Sequence, residues 1–207
     1  MERAARHGCI LVLYKKRIPT EPNSQLKVCR EGPGRMDTWI EAKTPGGLAY
    51  LSGWIGSPGE AGAPLLLLAH GTGFHAATWA PVIDVMSTLT AGPVEAVAFD
   101  WSGHGLSRPL PGTGVAAERC DWREVGPKDV DELLSTLGTG SRPVYGVGHS
   151  FGGAALVMAE LSRPGTFHGL ILLEPVLRAE PKEGRHPLAE LALRRRAVLE
   201  VCIGVES

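Results

Sequence analysis

Residues 146–153 read GVGHSFGG, and they sit between Pro143–Val147 (PVYGV) and Ala154–Leu161 (AALVMAEL). The first flank is a short β-rich run; the second is a series of good helix formers. Gly148-His149-Ser150-Phe151-Gly152 therefore fits G-x-S-x-G at a strand-to-helix junction, where small residues beside the serine let strand and helix approach closely around a sharp turn. A serine hydroxyl is a poor nucleophile at its own pKa and needs both exposure and a neighbouring base. The turn supplies the exposure and makes Ser150 the candidate nucleophile.

After Met36 the pattern alternates strand and helix. Gly47–Ile55 is expected as an edge strand, and Pro64–Ala69 (PLLLLA) as a strand buried on both faces. Thr78–Thr90 follows as an amphipathic helix with Thr78 as N-cap and Pro81 in its first turn. Val94–Phe99 is the next strand, and a Gly/Pro-rich loop runs from Asp100 to about Gly126. Pro127–Leu137 is a helix, and Leu170–Leu173 a further buried strand. Such alternation implies a doubly wound, mostly parallel α/β sheet, with its chemistry on loops at the carboxyl ends of the strands. Three of these loops carry unusual residues: His70–His75 (HGTGFH), Asp100–Ser107 (DWSGHGLS) and the turn at Ser150.

Residues 1–35 lie outside this pattern. The first part is basic with a very short apolar patch, and Arg17–Arg35 is polar and dotted with Pro and Gly. This suits a flexible extension rather than a signal peptide, with an organellar transit segment as the alternative. Residues 36–175 are then the folded core, and 176–207 a lid beginning or a shortened C-terminal helix.

The 207 residues carry a formal net charge of −1, which gives no electrostatic reason to expect nucleic acid or an anionic membrane as partner. No apolar run approaches membrane-spanning length. Cys9, Cys29, Cys120 and Cys202 lack metal-ligand or C-x-x-C spacing, so they are expected as free thiols in a reducing, cytoplasmic setting, with no metal and no cofactor.

HGTGFH after one strand, DWSGHGLS after the next and GHSFGG after the third resemble, in order and interval, the α/β-hydrolase superfamily of the serine-nucleophile type. The likeness covers roughly residues 48–175 and extends weakly through LLEPV and HPLAELALRRRA, where family members enter a helical lid. It implies a serine hydrolase acting on small ester or related acyl substrates. Ser rather than Asp at position 150 argues against epoxide hydrolase and haloalkane dehalogenase chemistry. The oxyanion donors it implies are the Phe151 amide and the Thr72 amide, with Gly73 second; a plain tight turn is the alternative for HGTG. Asp100 and His104 are assigned to shaping their loop, and His149 to packing or to the pocket rather than to the role of base.

The resemblance also implies an acid and then a histidine after Ser150. Glu174, following Leu170–Leu173, is the candidate acid, or else only caps a loop before Pro175. Two histidines follow Ser150: His168 begins its strand at the edge opposite the nucleophile, about 15 Å or more away, and His186 lies in a Pro/Gly-rich connection. His70 and His75 flank the oxyanion loop without matching the family position. The expectation is an incomplete α/β-hydrolase fold, ending before the histidine, with a free sheet edge and uncovered apolar surface, weak or inactive as a catalyst. A non-catalytic fragment or binding module is the competing expectation.

Overall fold

The computed structural model describes residues 9–14, 39–56, 58–59, 62–89, 92–110, 122–177 and 199–203; of 9–14, 122–123 and 199–203 it describes the backbone alone. Eight strands form one sheet: β1 Cys9–Tyr14, β2 Ile40–Lys43, β3 Ala49–Ile55, β4 Leu65–Ala69, β5 Val94–Phe99, β6 Val144–His149, β7 Gly169–Leu173 and β8 Leu199–Ile203. Their spatial order is β2-β3-β5-β4-β6-β7-β1-β8. β2 and β3 are antiparallel to their neighbours, and every pairing from β5 to β8 is parallel. The helices are α1 Ala80–Leu89, α2 Trp122–Thr136 and α3 Phe151–Ser162.

The Leu-rich β4 shows why the sheet must be covered twice. Successive side chains on a strand point to opposite faces. Leu65, Leu67 and Ala69 accordingly join a cluster with Val130 and Leu133 of α2 and Leu156 of α3. Leu66 and Leu68 join Ile83 of α1 and Trp79 on the other face. All five β4 residues are buried, and each buried leucine contributes about 1.5–3 kcal/mol relative to an exposed one. The chain steps from β4 to β5 in one direction with α1 on one face, then from β5 to β6 in the other with α2 on the opposite face. The crevice of such a sheet opens where this reversal occurs, at the carboxyl end of β4.

Several sequence expectations are corrected. β3 is paired on both sides, and β2 takes the edge position. A 3-10 turn, Ala76–Trp79, precedes α1 and places His75, not Thr78, at the cap, with no side-chain cap bond. α2 begins at Trp122 and carries Pro127 inside it. Proline marks a helix start because its missing N–H costs nothing there, but here packing of the helix against α3 overrides the mark. Within the expected extension, Cys9–Tyr14 forms a strand that pairs with β7 and β8, so the outer edge of β7 is occupied. Leu199–Ile203 is a strand where a lid or helix was expected; residues 178–198, including His186 and HPLAELALRRRA, lie outside the described residues. Cys29 and Cys120 do too.

Apolar surface does remain on the α1 side. Val147 packs in the α1-side cluster, while Tyr145 and Ile171, on that same face by strand alternation and register, are 40% and 36% exposed.

Candidate active site

Ser150 links β6 directly to α3 and adopts φ 51°, ψ −118°. That conformation is rarely tolerated by a residue with a Cβ and costs about 1–3 kcal/mol. Its neighbours hold it there. The Ser150 N–H donates to the Leu173 carbonyl (2.9 Å), and its carbonyl accepts from the N–H groups of Ala154 (3.3 Å) and Val176 (3.2 Å). The flanking glycines are required by close backbone approach. A Cβ on Gly148 would lie 2.6 Å from Gly153 Cα, and one on Gly152 would strike the carbonyl oxygens of Ala69 and His70. Any larger residue at either position would push the start of α3 off the ends of β4 and β6.

The loop after β4 lies against this turn. A Cβ on Gly71 would meet His149 Nδ1 at 3.0 Å and Ser150 Cβ at 3.2 Å. Gly71 through Phe74 form a tight turn, with the Phe74 N–H donating to the Gly71 carbonyl (3.2 Å) and Gly73 at φ 80°. Positive φ at the third residue of a turn selects glycine. The central residues Thr72 and Gly73 are exposed, and the turn's own closing bond employs neither of their amides.

The loop after β5 is a scaffold. Asp100 accepts the Ala76 N–H on Oδ1 (2.6 Å) and the Leu106 N–H on Oδ2 (2.8 Å), joining the loops after β4 and β5. Trp101 is fully buried; its indole N–H donates to the His70 carbonyl (2.9 Å), and its ring meets Phe99 and Phe151 edge-on, with centroids 4.5 and 5.4 Å apart. It wedges the residue after Ser150 from below. Ser102 is tied to Asp129 of α2 by both N–H (2.9 Å) and Oγ (2.8 Å), and Arg108 bridges Asp129 (2.7 Å) and Glu132 (2.5 Å). Burial pushes the Asp129 carboxyl up despite the Ser102 bonds and the Arg108 charge. For Glu132 burial acts upward too, but the bonds from Thr44 and Arg108 and the Arg108 charge outweigh it and hold the carboxyl below its ordinary value. The contacts of Trp101 and the Asp129–Arg108 pairing carried no sequence signal, because the partners are distant along the chain.

The histidines are placed as follows. His70 is buried, with Nδ1 2.8 Å from the Gly71 carbonyl and Nε2 3.4 Å from the Trp101 N–H. Burial lowers its pKa most, opposed by the Gly71 bond. Its neutral ring is locked between two loops. His75 lines a cavity of about 380 Å³ with Tyr50, Leu51, Asp100 and Leu106. His149 meets Phe74 edge-on at 6.1 Å. His168 lies beside Val144, at the far end of the six-residue β6, about 20 Å from Ser150 at ordinary strand rise. Glu174 is exposed, has φ 45°, and follows the β7 residue paired with His149, so it shares the carboxyl edge with Ser150. Among the described residues no imidazole hydrogen-bonds the Ser150 hydroxyl, and no group of acidic, His and Cys side chains has the makings of a metal site.

A strained serine between a parallel strand and a helix, beneath a glycine turn from the neighbouring strand end, defines a hydrolase-type α/β sheet. Residues 66–201 match the model of the Alpha/beta hydrolase family, and the chain belongs to that family. It is 30% identical over 123 residues to a monoglyceride lipase of Rattus norvegicus, covering 57% of this chain and 37% of that protein. It is 27% identical over 139 residues to the (E)-2-((N-methylformamido)methylene)succinate hydrolase of Acinetobacter baylyi, covering 67% and 46%. The chain therefore spans less than half the length of these relatives. Among solved structures, the fold is shared with a hydrolase from Pseudomonas aeruginosa (TM-score 0.51, 24% identity, 70% of this chain and 48% of that one). It is shared too with the thioesterase domain from the curacin biosynthetic pathway (TM-score 0.53, 22% identity, 75% and 50%). No described helix is long and apolar enough to cross a membrane.

Proposed function

We propose that this chain carries the nucleophile half of a serine hydrolase acting on small ester or related acyl substrates, without cofactor or metal. The observation that carries the reading is the strained φ of Ser150 at the β6–α3 junction, directly under the Gly71–Phe74 turn. Strain of this kind persists only where the surroundings over-determine it, and it collects at working sites.

In the proposed reaction Ser150 Oγ attacks an acyl carbon while a base takes its proton, and the carbonyl oxygen becomes an oxyanion. The Phe151 amide, at the first helical position of α3, is the first donor to that developing charge. The Thr72 amide is the second donor, with Gly73 as the alternative, since both are exposed on the turn above Ser150. Glu174 is the acid that orients the base, on its position at the same sheet edge. Asp100, Trp101 and Asp129 hold the loops that carry these groups. The names of the lipase and succinate hydrolase relatives support a hydrolytic reading.

Catalysis by this chain is proposed to be weak. Among the described histidines His70 is buried, His149 packs on Phe74, His168 lies at the opposite sheet edge, and exposed His75 lines a cavity without a hydrogen bond to Ser150. Without a triad base, residual rates of about 10³ to 10⁴-fold over water remain in serine hydrolases, from binding and the oxyanion hole. A fluorophosphonate probe tests the reading, since it reacts with an activated serine. Labelling that disappears in Ser150→Ala supports it; no labelling of cooperatively folded protein overturns the claim that Ser150 is activated. Turnover of a p-nitrophenyl ester at the rate of an intact esterase would show that a base is in place, and loss of that turnover in His75→Ala would identify it.

A further inference from the structure

A second cavity, of about 290 Å³, opens at the amino-terminal edge of the sheet, where the connections from α2 to β6 and from α3 to β7 meet. It lies at the opposite end of β6 from Ser150 and belongs to no part of the site above. Thr139, Ser141, Arg142, Arg163, Thr166 and His168 supply its polar lining, and among the described residues no carboxylate lines it.

The cationic groups are unevenly satisfied. Arg142 pairs with Glu95 through Nη1 (2.6 Å) and donates from Nε to the Ala63 carbonyl (3.0 Å), but its buried Nη2 has no hydrogen-bond partner among the described residues. An unpaired buried guanidinium nitrogen is costly, and Arg142 lines the cavity. Arg163 meets Asp131 at 3.1 Å, with both side chains about half exposed. Such pairs contribute about 0–1 kcal/mol, so little holds Arg163 away from a stronger acceptor. His168 Nδ1 accepts the Val144 N–H (3.3 Å) and its ring lies 6.2 Å from that of Tyr145, which fixes it as part of the cavity wall. The wall itself is fixed: Glu160, fully buried, accepts the N–H groups of Gly165 (2.7 Å) and Phe167 (2.9 Å), and its charge is consumed there.

We propose that this cavity binds a phosphoryl group, as inorganic phosphate or as the phosphate of a small monoester. The lining offers two guanidinium groups and the hydroxyls of Thr139 and Ser141 to one small volume; the Thr166 hydroxyl already donates to the Arg163 carbonyl (2.6 Å). A tetrahedral dianion with several terminal oxygens can use that many donors at once, whereas a carboxylate has two oxygens. Because the site lies about 20 Å from Ser150 along β6, it serves for anchoring or regulation and not for acyl transfer.

Calorimetric titration of the full chain with inorganic phosphate, glycerol phosphate and acetate tests this, using wild type, Arg163→Gln and Asp131→Asn. One saturable site for phosphate or for the monoester is expected, with acetate much weaker; the tighter of the two phosphates identifies the source. Arg163→Gln should weaken binding about tenfold or more, as loss of a charge-assisted hydrogen bond does. Asp131→Asn should tighten it by releasing Arg163. Thermal melts without ligand should be near wild type in both variants, since the Arg163–Asp131 pair is exposed. No saturable binding of either phosphate, acetate binding as tightly, or affinity unchanged in both variants would overturn the proposal.

Discussion

Replacing Ser150 by glycine should make the protein more stable than replacing it by alanine, and the size of the difference measures the strain stored at the turn. Both substitutions remove Oγ, so hydroxyl chemistry cancels between them. Alanine keeps the Cβ that makes φ 51°, ψ −118° unfavourable; glycine removes it. The strain amounts to about 1–3 kcal/mol. Glycine's extra freedom in the unfolded chain offsets about 0.5–1 kcal/mol of the relief. The balance favours glycine by about 1 kcal/mol, and for a domain near this size that raises Tm by about 2–4 °C. The backbone bonds at Ser150 run through N–H and carbonyl and survive both changes. Urea unfolding of the two variants, compared at equal m-values, gives the difference directly. A glycine variant no more stable than the alanine variant would refute the argument, showing that the backbone at position 150 relaxes out of the strained region in solution. Neither variant should be labelled by a fluorophosphonate.

Gly152→Ala should destabilise by more than about 2 kcal/mol, since its Cβ meets the Ala69 and His70 carbonyls at a rigid junction; a soluble variant with an unchanged urea midpoint would contradict this. Asp129→Ala should cost about 3 kcal/mol by leaving Ser102 and Arg108 without their buried acceptor, measured by the same unfolding. His70 is held neutral by burial, its folded pKa lying below the ordinary 6.5. The unfolded chain therefore takes up this proton first as pH falls. Stability should be full above pH 6.5 and decline as pH drops through the window between the unfolded and folded values; a decline of equal size in His70→Asn would show that another group is responsible. The exposed Tyr145 and Ile171 should bind a hydrophobic dye such as ANS, and Ile171→Lys should reduce its fluorescence.

The part of the fold fixed by local chemistry was legible in the residues. PLLLLA has no polar face and must be a strand covered twice; GHSFGG between a β run and a helix run leaves few geometries other than a sharp junction; Gly73 announces a turn that needs positive φ. These are short-range constraints, imposed by side-chain periodicity and by the steric demand of a single Cβ. Tertiary structure decided what depends on distant partners. Pro127 looked like a helix start and lies within α2, because the contact with α3 extends the helix past it. Cys9–Tyr14 gave only a weak apolar patch, yet it pairs with β7, where main-chain hydrogen bonds supply what its length and sequence context did not advertise. Trp101 under Phe151, Arg108 across Asp129 and Glu132, and Arg142 beside Arg163 at the far edge are likewise products of topology. A sequence states which groups a chain has to satisfy, but the partner that satisfies each one is chosen by the folding of segments far apart along it.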